Sequence, residues 1–97
     1  MNKSYYAVIF TNKQTDNLEG YNDMADTMER LAQKQPGYLG FESARNDLGI
    51  AISYWKTLED IKNLDHLEAQ VNGKNKWYSW YKVRICKVER EYEFNSM

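Results

Sequence analysis

Two six-residue runs, "YYAVIF" (Tyr5 to Phe10) and "IAISYW" (Ile50 to Trp55), carry no charge and are apolar on both parities. Successive side chains of a strand point to opposite faces, so a half-exposed strand alternates apolar with polar. Runs that do not alternate read as strands buried on both faces. In a chain of 97 residues, read as a single domain over 1–97, they belong in the middle of one sheet.

The intervening residues define the connections. "TNKQTDNLEG" (Thr11 to Gly20) is polar and turn-rich and reads as a loop. Tyr21, Met24, Ala25, Met28, Leu31 and Ala32 follow helical spacing on one face. "QPG" (Gln35 to Gly37) stops that helix, because proline lacks a donor and disfavours helix before it. "YLGFESAR" (Tyr38 to Arg45) is a strand, and "NDLG" (Asn46 to Gly49) is hairpin chemistry that tolerates positive φ. Thr57 is the expected N-cap of a second helix, with Glu59 and Asp60 suiting its positive end. Leu58, Ile61, Leu64 and Val71 form its apolar face, and "NGK" (Asn72 to Lys74) loosens or ends it. Trp77, Trp80 and Tyr81 have the spacing of a short extra turn before a last strand, "KVRICKVERE" (Lys82 to Glu91).

The order is β-α-β-β-α-β, an α+β, ferredoxin-like arrangement with two helices on one face of an antiparallel sheet. Right-handed crossovers put the first and third strands in the centre. The outer strands carry the charges that edges need: Glu42 and Arg45 on one, Lys82, Arg84, Lys87, Glu89 and Arg90 on the other. Two helices cover one face only. Either Tyr6, Val8 and Phe10 or Tyr5, Ala7 and Ile9 must therefore point away from them. An uncovered aromatic face is a large sticky patch, most simply closed by a second copy of the chain. The expected partner is thus the chain itself, as a homodimer.

Composition excludes several classes. A net charge of −1 gives no field to gather polyanions. The basic cluster from Lys74 to Arg90 mixes with aromatics as in single-strand binders. However, "GYLGF" falls on the second strand rather than the third, with the wrong spacing for RNA-stacking aromatics. Nucleic acid is not an expected partner. One cysteine permits no internal disulfide, and no run reaches membrane-spanning length. The expected setting is reducing and cytoplasmic, without membrane contact. One His and one Cys cannot supply a four-ligand zinc site.

Few residues carry chemistry. His66 is the only imidazole, yet on a continuous helix it lies about 160° from the apolar face. Its plainer reading is a solvent-facing histidine. Cys86, between Ile85 and Lys87, reads as buried packing rather than a nucleophile, since nothing nearby lowers its pKa. Trp55, Trp77 and Trp80 are core or interface residues that could also wall a cavity for a planar ligand.

"QPGYLGFESAR", "SYWKT" and "WYSWYKVRICKVEREY" resemble the antibiotic biosynthesis monooxygenase family, most closely its small stand-alone bacterial members. The likeness spans Tyr5 to Tyr92. It implies a dimeric α+β barrel. It also implies a dry cavity between helices and sheet, where an electron-rich substrate reacts with O₂ without a protein-bound metal or flavin, so no cofactor is expected. Haem-degrading relatives use an Asn in the first strand and a Trp and a His in the second helix. Here Leu64 stands at the Trp position, and Ile9 or Phe10 stands near the Asn position, with Asn12 displaced by about a residue pair. Only His66 matches, so that constellation is largely absent.

The resemblance therefore implies cofactor-independent monooxygenase-type chemistry on a small aromatic or polycyclic compound. Tyr6, Tyr54, Trp77 and Tyr81 are candidate wall residues, and His66 and Asn12 candidate catalytic groups. The competing reading is a non-catalytic ligand-binding or stress-related dimer. An enzyme needs a polar group converging on an enclosed cavity, and the other does not.

Overall fold

Residues 4–63 and 77–96 are described by a computed structural model. β1 (Tyr5–Gln14) leads through α1 (Tyr21–Gln33) to β2 (Tyr38–Arg45) and β3 (Gly49–Trp55). A second helix, α2, is described over residues 58–63, and β4 (Tyr78–Val88) is the last strand. The sheet is antiparallel in the order β2-β3-β1-β4. The two charge-free runs sit in the centre and the charged strands at the edges, giving the α+β ferredoxin-like fold. His66, Leu64, Val71 and the "NGK" segment lie outside the described residues.

Two expectations change together. β1 continues to Gln14 instead of looping after Phe10, and β4 begins at Tyr78 instead of following an aromatic turn. Each extension pairs with the other, Thr11 with Lys82, Asn12 with Tyr81 and Lys13 with Trp80. Aromatic residues suit a pleated surface, and pairing satisfies the backbone of the polar "TNKQ" segment. The consequence is functional: Asn12 becomes a strand residue facing the same way as Val8 and Phe10.

Residues directly opposite in a ladder share a face. Val8 opposes Ser53, and Tyr6 opposes Trp55, so these residues face the helices. The core there is Val8, Ala32, Trp55 and Ile61, with Tyr6, Met28 and Tyr38 packed against it. Val83 and Ile85 share that face but remain exposed. They do not tie β4 to the core, because the core lies over the β1 and β3 side of the sheet and β4 is the far edge.

Where helix meets strand, Gly37 is essential for two reasons. Its φ of +82° is left-handed, and an added Cβ would overlap the carboxylate of Asp60. Asp60 is itself held at the start of α2. Its backbone N–H donates to Thr57 Oγ1 at 3.2 Å, the N-cap bond expected from sequence, and the Thr57 hydroxyl donates to Asp60 Oδ2 at 2.8 Å. Gly37→Ala is expected to destabilise by about 1–3 kcal/mol in urea unfolding. Adding Asp60→Ala should recover the part of that loss due to overlap.

Tyr5, Ala7 and Ile9 point away from the helices, resolving the alternative left open by the sequence. Ile52 and Tyr54 of β3 join them, as does Cys86, which opposes Ala7. Cys86 is exposed rather than buried, because β4 is an edge strand and alanine covers little of it.

Candidate functional site

A cavity of about 480 Å³ opens between α1 and the helix-facing side of the sheet. This is a normal size for a site that holds a small organic ligand. Val8, Phe10 and Asn12 of β1 form its floor with Ala51 and Ser53 of β3. β2 adds Phe41, Ser43 and Arg45, and Tyr78 enters from β4. The helical wall is Tyr21, Met24, Ala25 and Met28, with Asp26 and Glu29 beside them. The alternation of β1 explains the floor: every second residue from Val8 faces α1.

The rings are organised among themselves. Phe10 meets Tyr78 edge-on at 5.2 Å and Tyr81 at 5.4 Å. Tyr21 meets Tyr78 at 6.0 Å and Trp77 at 6.3 Å. Trp77 Nε1–H also donates to the Glu19 carbonyl at 2.7 Å, fastening the loop before α1. Trp77 thus orders the end of the cavity without lining it.

Asn12 is the polar centre. It is 2% exposed, and its Oδ1 accepts a hydrogen bond from Arg45 Nη2. Arginine can only donate, so the oxygen must face it and the amide nitrogen is left over. No described residue accepts a hydrogen bond from that nitrogen. Arg45 reaches Asn12 across β3: Arg45, Gly49 and Asn12 stand in one row of the sheet. A Cβ at residue 49 would run into the guanidinium. Gly49 therefore matters for the space above it, and not for positive φ, which among the described residues only Gly20 and Gly37 adopt.

The sequence-derived candidates are dispersed. Asn12 lies in the cavity. Tyr6 packs against the core, and Tyr81 is exposed beside Phe10. Tyr54 is on the opposite face of the sheet, edge-on to Tyr5 at 5.8 Å. His66 lies outside the described residues. The residues that sequence reasoning passed over are Arg45, Phe10, Tyr21 and Tyr78. Arg45 was explained as an edge charge, and only the hairpin register that sets it against Gly49 points further.

Across the sheet, the Tyr54 hydroxyl donates to Glu42 Oε1 at 2.5 Å, and Tyr5 to Glu91 Oε1 at 2.5 Å. The hydrogen bond to Glu42, aided by burial, pushes the Tyr54 phenol up to about 12. The folded state therefore holds this proton more tightly than the unfolded chain does. That contribution to stability is complete below the ordinary value of 10.0 and is lost as pH rises through about 12. Stability of Tyr54→Phe relative to the native chain should show this window in denaturation series at rising pH.

Among the described residues, no group of three or more His, Cys, Asp and Glu gathers to hold a metal, and no helix is long and apolar enough to cross a membrane. No protein-family model matches the chain. Its fold is shared with solved structures at low identity. SnoaB of Streptomyces nogalater, a cofactor-independent oxygenase solved as its N63A mutant, has a TM-score of 0.75 at 7% identity, over 93% of this chain and 97% of that one. A Nitrosomonas europaea protein assigned provisionally as an antibiotic biosynthesis monooxygenase has a TM-score of 0.66 at 14% identity, over 89% and 90%. In sequence, the uncharacterised protein YqjZ of Bacillus subtilis is 41% identical over 93 residues, covering 90% of this chain and 82% of that protein. The chain belongs to the family of YqjZ, built on the fold of the antibiotic biosynthesis monooxygenases.

Proposed function

We propose that the chain is a cofactor-independent, monooxygenase-type protein acting on a small aromatic compound. The observation that carries this reading is Asn12, a buried amide whose nitrogen has no described acceptor, on the floor of a cavity walled by Phe10, Tyr21, Phe41 and Tyr78. Such a site is apolar with a few convergent polar groups, as ligand sites are. The likeness in fold to SnoaB, itself a cofactor-independent oxygenase, supports the reaction class. In that class an electron-rich CH₂ becomes C=O: one atom of O₂ enters the carbonyl and the other leaves as water, with the substrate supplying the electrons. The protein's part is to exclude water, orient the ring and stabilise charge on a ring oxygen.

The working unit in this reading is a homodimer in the cytoplasm. Ile9, Ile52, Tyr5 and Tyr54 leave the open sheet face apolar and aromatic. Beyond β4, Tyr92 and Phe94 are 85% and 87% exposed, well suited to lie on a second copy. Light scattering should return twice the 11.5 kDa chain mass at low micromolar concentration. A monomer there would remove the dimer from the proposal.

O₂ uptake by chelator-treated protein with a panel of anthrones, quinols and haem tests the activity. Turnover of an anthrone, reduced by Asn12→Ala, is the expected result. His66→Ala asks whether the imidazole contributes. No uptake above buffer across the panel would overturn the oxygenase reading. A non-catalytic ligand-binding protein is the second reading, favoured by one observation: no imidazole or thiol lines the cavity among the described residues. Binding without uptake would select it.

A further inference from the structure

We propose that Asn12 and Arg45 form a subsite for an oxyanion carried by an aromatic ligand, a carboxylate or a phenolate, and that Gly49 exists to let Arg45 reach it. This inference rests on the cavity being a ligand site, but not on any reaction occurring there.

Three observations converge. First, Asn12 lines the cavity from a position 2% exposed, and its amide nitrogen has no described acceptor. A buried donor left in this state is costly unless a ligand completes it. Second, Arg45 lines the same cavity and forms no ion pair with any described carboxylate. Among the described residues its one hydrogen bond goes to the neutral Oδ1 of Asn12, so its remaining N–H groups face solvent, where a ligand can displace water. Third, its route is built. The guanidinium lies over Gly49, in a space that any Cβ would occupy. An edge arginine directed away from the sheet would need no such clearance.

Charge sets the orientation. Asp26 and Glu29 sit on the helical wall, where they repel an anion. Asn12 and Arg45, on the sheet, attract one. A ligand would place its rings among Phe10, Tyr21 and Tyr78, and its oxyanion against the row Asn12, Gly49 and Arg45. An arginine fork together with an amide N–H suits two oxygens of a carboxylate or one charged phenolate oxygen.

Binding is read without oxygen, by calorimetry under nitrogen, with two matched pairs of probes. The first pair is 2-naphthoate and naphthalene-2-carboxamide. The second is a nitronaphthol ionised at the working pH and its methyl ether. In at least one pair the anion should bind about ten- to a hundredfold tighter than its neutral partner. The pair that shows it identifies the oxyanion as carboxylate or phenolate. Arg45→Gln should erase the preference, and Arg45→Lys should keep part of it. Gly49→Ala should reduce it severalfold, because the guanidinium must swing off residue 49, with an unchanged circular dichroism spectrum, although residue 49 offers a ligand no charge. If Gly49→Ala does not fold, Arg45→Gln and Arg45→Lys, which keep glycine at 49, decide the subsite. Equal affinity within both pairs, or a preference that survives Arg45→Gln, would overturn the subsite. Loss of O₂ uptake in every assay, with the anion preference intact, removes the oxygenase reading and leaves the subsite standing.

Discussion

Trp55→Ala is expected to remove about 3–5 kcal/mol of folding free energy, most of the margin of a small chain. Trp55 is fully buried at the end of β3, where the helix-facing core converges. Val8 lies beneath it from β1, Ala32 meets it from the end of α1 and Ile61 from α2. Tyr38 stands edge-on to its ring at 5.6 Å. One side chain thus joins both helices to the sheet, and removing it opens a cavity where all of them meet. The indole N–H donates to Ser53 Oγ at 2.8 Å, so the polar end of the ring is satisfied as well. Trp55→Phe should cost less, because it keeps most of the packing and loses the hydrogen bond. Urea unfolding followed by circular dichroism measures both. A loss under about 1 kcal/mol for the alanine variant would mean the core is not centred here.

Most of the fold is legible in the pattern of charge and apolar residues. Tyr5 to Phe10 and Ile50 to Trp55 lack charge because they are central, and Pro36 and Gly37 mark the end of α1 because the backbone there cannot remain helical. The ends of β1 and β4 were harder to read. Thr11 to Gln14 has the composition of a loop and becomes strand because Tyr78 to Lys82 pairs with it on one side and Ile50 and Gly49 pair with Thr11 and Asn12 on the other, contacts between segments distant in sequence. The error reached the site, since a loop Asn12 has no assigned face whereas a strand Asn12 must share that of Phe10. Arg45 is a second case. A charge at the end of an edge strand is ordinarily explained by solubility, and only the register opposite Gly49 reveals where its guanidinium goes. Aromatic content pointed to a walled cavity but not to which rings form it. Tyr54 and Phe10 look equivalent in sequence, and strand parity in the folded sheet puts them on opposite faces.

Asn12→Leu is expected to move stability and binding in opposite directions. Leucine shares the branched four-atom skeleton of asparagine and is the bulkier of the two, but the cavity beside residue 12 gives the extra volume room, so the fold around Val8 and Phe10 should not rearrange. The native amide is almost fully buried and its nitrogen lacks a described acceptor, an arrangement that costs about 1–3 kcal/mol. Leucine removes that cost and adds apolar burial. Against this stands the loss of the bond from Arg45, which is small because Arg45 is exposed and can return to water. The net result should be a gain of about 0.5–2 kcal/mol, the usual range when a functional polar group is replaced by a packed one. Binding should fall: an oxyanion loses the amide N–H, and Arg45 loses the acceptor that holds it over Gly49. Urea unfolding and calorimetry with 2-naphthoate on the same preparation read both effects. A variant that is less stable and binds as before would make Asn12 a strut for Arg45 and the β1–β3 ladder, with no place in a ligand site. A more stable variant that no longer binds is the signature of a residue kept for function at the expense of the fold.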